Sequence, residues 1–305
     1  MNALTIDGAV KTYGDVRALD GASFEVREGE LLGLLGPNGA GKTTAIRAIA
    51  GRVALDAGAI RLFGRTLTRR DTRPEIGVVP QEVAIYPLLT ARENLEVFGA
   101  LYGVAGAALR DRVAWALEWA ELRDRANDRA KQFSGGMKRR LNIACGLIHA
   151  PRLVLLDEPT VGVDPQSRER IYEMLAALRN SGVSIVLTTH HLEEAEQRCE
   201  RVVIIDHGRI AATGTVGELI QTTLGGRRTL TIRLARPMAS TVGPPAGFRA
   251  DPDRQGLTAD VVDVVRDVPA LLATAAEAGE IADMDLSGAT LQDVFIALTG
   301  RELRE

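Results

Sequence analysis

Short apolar runs and polar punctuation alternate along the first part of the chain. Leu4 to Tyr13, Ala22 to Val26 and Leu31 to Leu35 are β-favouring runs bounded by Gly, Asp and Glu, which predicts strands, and Thr43 to Ile49 reads as a helix. From about Thr90 to Leu122 the period lengthens. Leu95, Phe98, Leu101 and Tyr102 are spaced for one helical face and Val113, Leu117 and Ala120 for another, so a helical subdomain is expected over about 90–150. Leu153 to Leu156, Ser184 to Thr188 and Val202 to Ile205 are continuous apolar runs separated by helical segments, as in a parallel sheet buried on both faces. The fold class is α/β.

After Leu224 the pattern breaks at Gly225, Gly226, Arg227 and Arg228, and a Pro/Gly-rich loop follows at Gly243 to Gly256. The chain therefore divides into a large domain, 1–224, and a small one, 225–305. Within the second, Leu230 to Leu234, Leu257 to Val265 and Ile281 to Leu286 read as strands, and Val268 to Ala278 and Leu291 to Leu298 as helices. That describes a small α+β appendix, to which no site is assigned.

Composition narrows the function classes. A chain of 305 residues can bury a large core, and a net charge of −3 lacks the basic field of nucleic-acid binders, so no nucleic acid is expected as a partner. No run approaches the roughly 20 apolar residues of a membrane helix, and Met1 to Val10 has no charged region leading into an apolar core, so neither spanning nor secretion is expected. Cys145 and Cys199 lack metal-ligand spacing and read as reduced thiols. The only four lysines are Lys11, Lys42, Lys131 and Lys138, so a lysine in a special place carries information.

One of them stands in such a place. Gly36, Pro37, Asn38, Gly39, Ala40, Gly41, Lys42 and Thr43 follow a predicted strand and open a predicted helix, the context that a P-loop requires. Glycines let successive N–H groups turn inward on an anion, and the helix start adds its partial positive charge. Lys42 would reach the β- and γ-phosphates of ATP, Thr43 would join the shell of Mg²⁺, and Thr44 would add a phosphate contact. The cradle alone leaves open which nucleotide enzyme this is.

Asp157 and Glu158 end the run from Leu153, where a buried strand would emerge beside that loop. Asp157 would hold Mg²⁺, largely through water, and Glu158 would polarise the attacking water as general base. Between the two motifs lie Phe133, Ser134, Gly135, Gly136, Met137 and Lys138. Ser134 suits the cap of a helix through Leu141, Ala144, Cys145 and Ile148, leaving a second anion site at its start. Through this signature loop the chain resembles the ABC ATPase family, with Met137 where the family usually has Gln.

The resemblance implies a P-loop NTPase cassette with a mixed β core and a helical subdomain. It also implies a head-to-tail dimer, in which Ser134, Gly135 and Gly136 of each copy cover the ATP on the other copy's P-loop. By resemblance, Tyr13 stacks on adenine, Gln81 after Pro80 is the Q-loop contact to Mg²⁺ and water, Asp164 is the D-loop residue and His190 the switch histidine. His191, His149 and His207 are expected at the surface or at helix boundaries.

The ending, Leu291 to Leu303 with Asp293, Phe295 and Leu298 before Thr299, Gly300 and Arg301, resembles ATPase subunits of drug- and polysaccharide-type bacterial exporters. That implies integral membrane permease subunits as partners and a place at the cytoplasmic face of the cell membrane. Glu82 to Leu95, with Tyr86, Pro87, Leu88 and Leu89, is either the docking surface for such a partner or a buried apolar corner. Two other readings stand beside this one. A soluble ABC ATPase acting on ribosomes or DNA repair complexes usually joins two cassettes, and a P-loop kinase would need a lid and an acceptor site.

Overall fold

The computed structural model of the chain describes residues 1–68, 71–226, 228–239 and 243–300. The described residues divide into two units, 1–215 and 216–300. The expected boundary fell after Leu224, whereas the helix Val216–Leu224 packs against the helix Leu291–Thr299 and so belongs with the second unit. Arg227 of the boundary run, and Arg301 and Leu303 of the ending, lie outside the described residues.

The first unit is built on two sheets. An antiparallel sheet runs in the order Val16–Arg27, Asn2–Tyr13, Ala57–Leu62, Arg65–Thr66. The central sheet runs Arg209–Gly214, Arg201–Asp206, Leu31–Leu35, Ser184–Thr189, Leu153–Asp157, Ile76–Val79, and every neighbouring pair is parallel except the first. Leu31–Leu35 and Leu153–Asp157 are buried at every position, which is why both read as unbroken apolar runs. Leu34, Ile49, Leu153 and Val186 belong to one core that also takes in Leu4 and Phe24 of the antiparallel sheet.

The helical subdomain has its own core, from Ala91 and Leu95 through Leu117 and Ala120 to Leu141 and Ala144. Its first helix, Ala91–Leu101, starts at a capping box: Thr90 accepts from the Glu93 amide, and the Glu93 carboxylate accepts from the Thr90 amide. Leu101 and Tyr102, expected on the buried face with Leu95, are exposed: Leu101 lies about a third of a turn off that face, and Tyr102 caps the helix end. A second helix, Gly106–Trp119, follows after a turn, and the helix Gly135–Leu147 joins both.

In the second unit, helix Val264–Ala278 covers one face of a sheet ordered Arg249–Ala250, Gly256–Val261, Arg228–Leu234, Ile281–Gly288. The strand expected to reach Val265 stops at Val261. Asp263 accepts hydrogen bonds from the Val265 and Arg266 amides and so starts a helix through two β-branched residues. The edge strand Ile281–Gly288 pairs, among the described residues, with Arg228–Leu234 only, and Asp283, Met284 and Asp285 on it are exposed.

Candidate functional site

The loop after Leu35 closes tightly on itself and on the sheet. Gly41 has φ of 112°, a conformation that L side chains rarely adopt, and a Cβ there would stand 2.4 Å from the Ala18 carbonyl. A Cβ on Gly36 would stand 2.2 Å from the Ile205 carbonyl. Gly41 is the N-cap of the helix Lys42–Ile49 without a side-chain cap, so the first N–H groups of that helix are left for an anion. Asn38 and Gly39 are exposed at the rim, whereas Ala40 is buried beneath it.

Lys42 is buried, and its ammonium donates to the carbonyls of Gly36 at 2.7 Å and Pro37 at 3.2 Å. It stands 4.0 Å from Glu158 Oε1. Burial lowers the Lys42 pKa, while Glu158 and then Asp157 oppose that by favouring the charged form. Thr43 and Thr44 follow on the first turn, both half-buried.

Glu158 is the hub. Its carboxylate accepts from Gln81 Nε2 at 2.9 Å through Oε2 and meets His190 Nδ1 at 3.2 Å through Oε1. Parallel pairing explains the convergence, because Gln81 follows the strand Ile76–Val79, Glu158 ends Leu153–Asp157 and His190 ends Ser184–Thr189. Three consecutive neighbours in one sheet thus deliver their loops to the same edge. Only 7% of Glu158 is exposed, so each of these interactions acts with little solvent screening.

Asp157 Oδ1 accepts from the buried Thr188 hydroxyl at 2.6 Å, and that hydroxyl oxygen in turn accepts from the Glu158 amide at 3.0 Å. Thr43, Gln81 and Asp157 line one pocket, which brings a hydroxyl, a carboxamide and a carboxylate together. Hard oxygen donors of this kind fit Mg²⁺, which keeps several waters and takes substrate phosphates rather than an all-protein cage. Among the described residues no group of three or more His, Cys, Asp or Glu forms such a cage.

The signature loop stands at the start of its helix as expected, with Ser134 capping Gly135–Leu147 by accepting from the Met137 amide at 3.2 Å. Ser134 and Gly135 are exposed and Gly136 is buried. Asp164 caps the helix Pro165–Asn180, accepting from the Ser167 amide at 2.9 Å, and hydrogen bonding from the Ser167 side chain, then from its amide, holds its carboxyl below the ordinary carboxylate pKa. Tyr13 is 45% exposed with Lys11 Nζ 5.4 Å from its ring centre, so its ring is not core packing.

Of the other histidines, His191 starts the helix Leu192–Arg198, and His207 is exposed. His149, expected at the surface or a helix boundary, lies just past the end of a helix but is half-buried: it stacks on Tyr102 at 3.8 Å and meets the Ile76 carbonyl at 3.1 Å.

Sequence reading overlooked Arg139. Its guanidinium is buried and donates to the carbonyls of Pro80, Gln81, Glu158 and Pro159. The signal present was an arginine five residues after Ser134 on a helix whose other buried positions are apolar or small except Asn142. Asn94 was also unread: fully buried, it holds the loop before its own helix by accepting from the Tyr86 amide and donating to the Tyr86 and Thr90 carbonyls.

Comparison with known proteins agrees with this geometry. Residues 19–161 match the family model described as ABC transporter. A daunorubicin resistance ATP-binding protein of Streptomyces coeruleorubidus is 39% identical, over 99% of this chain and 97% of its own. A Nod factor export ATP-binding protein of Ralstonia nicotianae is 40% identical, over 99% of this chain and 95% of its own. Among solved structures, a dimeric post-hydrolysis ATP-binding cassette bound to ADP and phosphate superposes with a TM-score of 0.61 at 30% identity, covering 70% of this chain and 98% of its own.

Proposed function

We propose a working cycle for this chain, which belongs to the ABC transporter family of ATP-binding subunits. The chain binds and hydrolyses ATP as the energising subunit of an exporter. Its cargo is of the kind its relatives' names describe, a drug to which it confers resistance or a Nod factor. The path for the cargo belongs to separate permease subunits; among the described residues no helix is long and apolar enough to cross a membrane.

The observation that carries the reading is the convergence of Lys42, Gln81 and His190 on the Glu158 carboxylate. In this assignment the N–H groups from Gly36 to Gly41, with Pro37, Asn38, Gly39 and Ala40 shaping the turn, cradle the phosphates. Lys42 and Thr44 contact them directly. Thr43, Asp157 and Gln81 hold Mg²⁺, which when bound neutralises charge on the β- and γ-phosphates. Glu158 takes a proton from the attacking water, Gln81 orients that water, and His190 donates to the γ-phosphate. Tyr13 stacks on adenine.

The site is completed by a second copy. Ser134, Gly135 and Gly136 of one copy close over the phosphates held by the other, and Asp164 positions the two copies against each other. The dimeric, ADP-bound relative supports this arrangement. Closure draws the helical subdomain inward, and the exposed Val83, Tyr86 and Leu88 pass the motion to a permease at the cytoplasmic face of the membrane.

Changing Glu158→Gln tests the reading. Hydrolysis falls by about a thousandfold or more while ATP still binds, and an ATP-dependent dimer accumulates on size-exclusion chromatography. Normal turnover in that variant sinks the assignment of the base.

A further inference from the structure

The guanidinium of Arg139 occupies a position that nothing in the phosphate chemistry explains. Arg139 is 2% exposed, and among the described residues its hydrogen-bond partners are all backbone carbonyls. Nε donates to Pro159 at 2.5 Å, Nη1 to Gln81 at 2.6 Å and to Pro80 at 3.2 Å, and Nη2 to Glu158. Two segments are therefore clamped by one side chain, the end of strand Ile76–Val79 with the loop after it and the end of strand Leu153–Asp157 with the turn after it. The side chain itself comes from the helix that Ser134 caps.

The clamped backbone is strained at the residue that matters. Glu158 has φ of 47°, in the left-handed region that few residues other than glycine occupy. Its N–H donates to the Thr188 hydroxyl at 3.0 Å and the Thr188 carbonyl at 3.2 Å, and its C=O accepts from Arg139. Both sides of the strained peptide are thus pinned, and the carboxylate they aim is the one Gln81 and His190 meet. Burying a guanidinium without a hydrogen-bonded carboxylate is costly, so its retention calls for a use that several aimed donors serve.

We propose that Arg139 is a positioning residue for hydrolysis: it holds the Glu158 and Gln81 backbones in reacting register and ties that register to the signature helix. The inference rests on Glu158 being the base. Movement of the helix Gly135–Leu147 then alters the aim of Glu158 directly through one rigid fork, in addition to any movement of the Gln81 loop. Lysine cannot replace this fork, since an ammonium is a point charge with three donors and cannot span both segments in one plane.

The test uses the full-length chain and four measurements on each variant: kcat, KM for ATP, affinity for a fluorescent ATP analogue, and melting temperature. Arg139→Lys, which keeps charge and most of the volume, is expected to lower kcat by about tenfold or more with KM and nucleotide affinity changed by less than about threefold. Arg139→Ala is expected to regain part of its lost kcat when millimolar guanidinium is added, which a merely structural defect would not do.

The proposal is overturned if Arg139→Lys keeps kcat within about twofold of the parent while Glu158→Gln is inactive. It is equally overturned if kcat, affinity and melting temperature all fall together without guanidinium rescue. Should neither Arg139 variant fold, Thr188→Val removes the hydroxyl that holds the Glu158 amide, leaving the carbonyl bond, and also frees Asp157: loss of kcat at unchanged ATP affinity and unchanged Mg²⁺ dependence supports the proposal, and unchanged kcat overturns it. Normal turnover by Glu158→Gln removes the base assignment first and the proposal with it, so the two failures are told apart.

Discussion

Gln81 Nε2 donates to Glu158 Oε2 at 2.9 Å, across two loops that leave neighbouring parallel strands. The carboxamide is a neutral donor to a buried carboxylate, so it steadies Glu158 without removing its charge. Replacing it by a second carboxylate, Gln81→Glu, sets two like charges in contact, and one of the pair then binds its proton more tightly. The acid limb of the pH–rate profile is expected to move upward, with kcat at neutral pH falling by about tenfold or more. Steady-state ATPase rates from acid to alkaline pH check this.

Gly41→Ala forces a Cβ onto a residue with φ of 112° and within 2.4 Å of a backbone carbonyl. A strained non-glycine residue costs about 1–3 kcal/mol, and here the strain is relieved only by opening the phosphate loop. Nucleotide affinity is expected to fall by more than about tenfold, with a smaller loss of stability in urea. Affinity and denaturation midpoint together separate the two effects.

His149 carries a pH dependence that concerns stability rather than turnover. Burial lowers its pKa below the ordinary 6.5, outweighing the bond to the Ile76 carbonyl, and its buried Nδ1 has no partner among the described residues. The folded chain therefore takes up this proton less readily than the unfolded chain, and the contribution present above pH 6.5 is lost as pH falls through the lowered folded value. The melting temperature is expected to drop faster between neutral and mildly acid pH than in His149→Gln, as scanning calorimetry at several pH values checks.

Asn94→Leu keeps volume but leaves the Tyr86 amide without its present partner, while the Tyr86 and Thr90 carbonyls keep their bonds from the backbone amides of residues 89 and 94. Each buried polar group left unpaired costs about 1–3 kcal/mol, so a loss in that range is expected in chemical denaturation. Lys42 and Glu158 are untouched, so ATP affinity of the isolated chain stays unchanged. Under the proposed function, coupling to a permease suffers as well, because Tyr86 and Leu88 lose their fixed presentation.

The nucleotide cradle was legible because its chemistry demands particular residues in an unbroken run, and Gly36 to Thr43 meet that demand within one turn. Asp157 and Glu158 were legible for the same reason, at the end of a strand buried on both faces. Arg139 and Asn94 were not, because their partners are backbone groups that every residue possesses, and no spacing of side chains marks them. Strands Ala57–Leu62 and Ile76–Val79 went unread for another reason: Gly58 and Gly77 weaken short runs whose strand character comes from pairing with distant neighbours. At Val264 and Val265 the local preference for strand was real and lost to the Asp263 cap.

Ile281–Gly288, one edge strand of the second unit, has among the described residues a row of backbone groups without a neighbouring strand. Such a row invites another chain to add itself, and repeated addition is how sheets grow into insoluble fibres. Asp283 and Asp285 stand on that rim, and a second copy pairing there in antiparallel fashion would bring carboxylates against carboxylates. The carboxylates on that rim thereby disfavour edge-to-edge pairing of two copies of this chain.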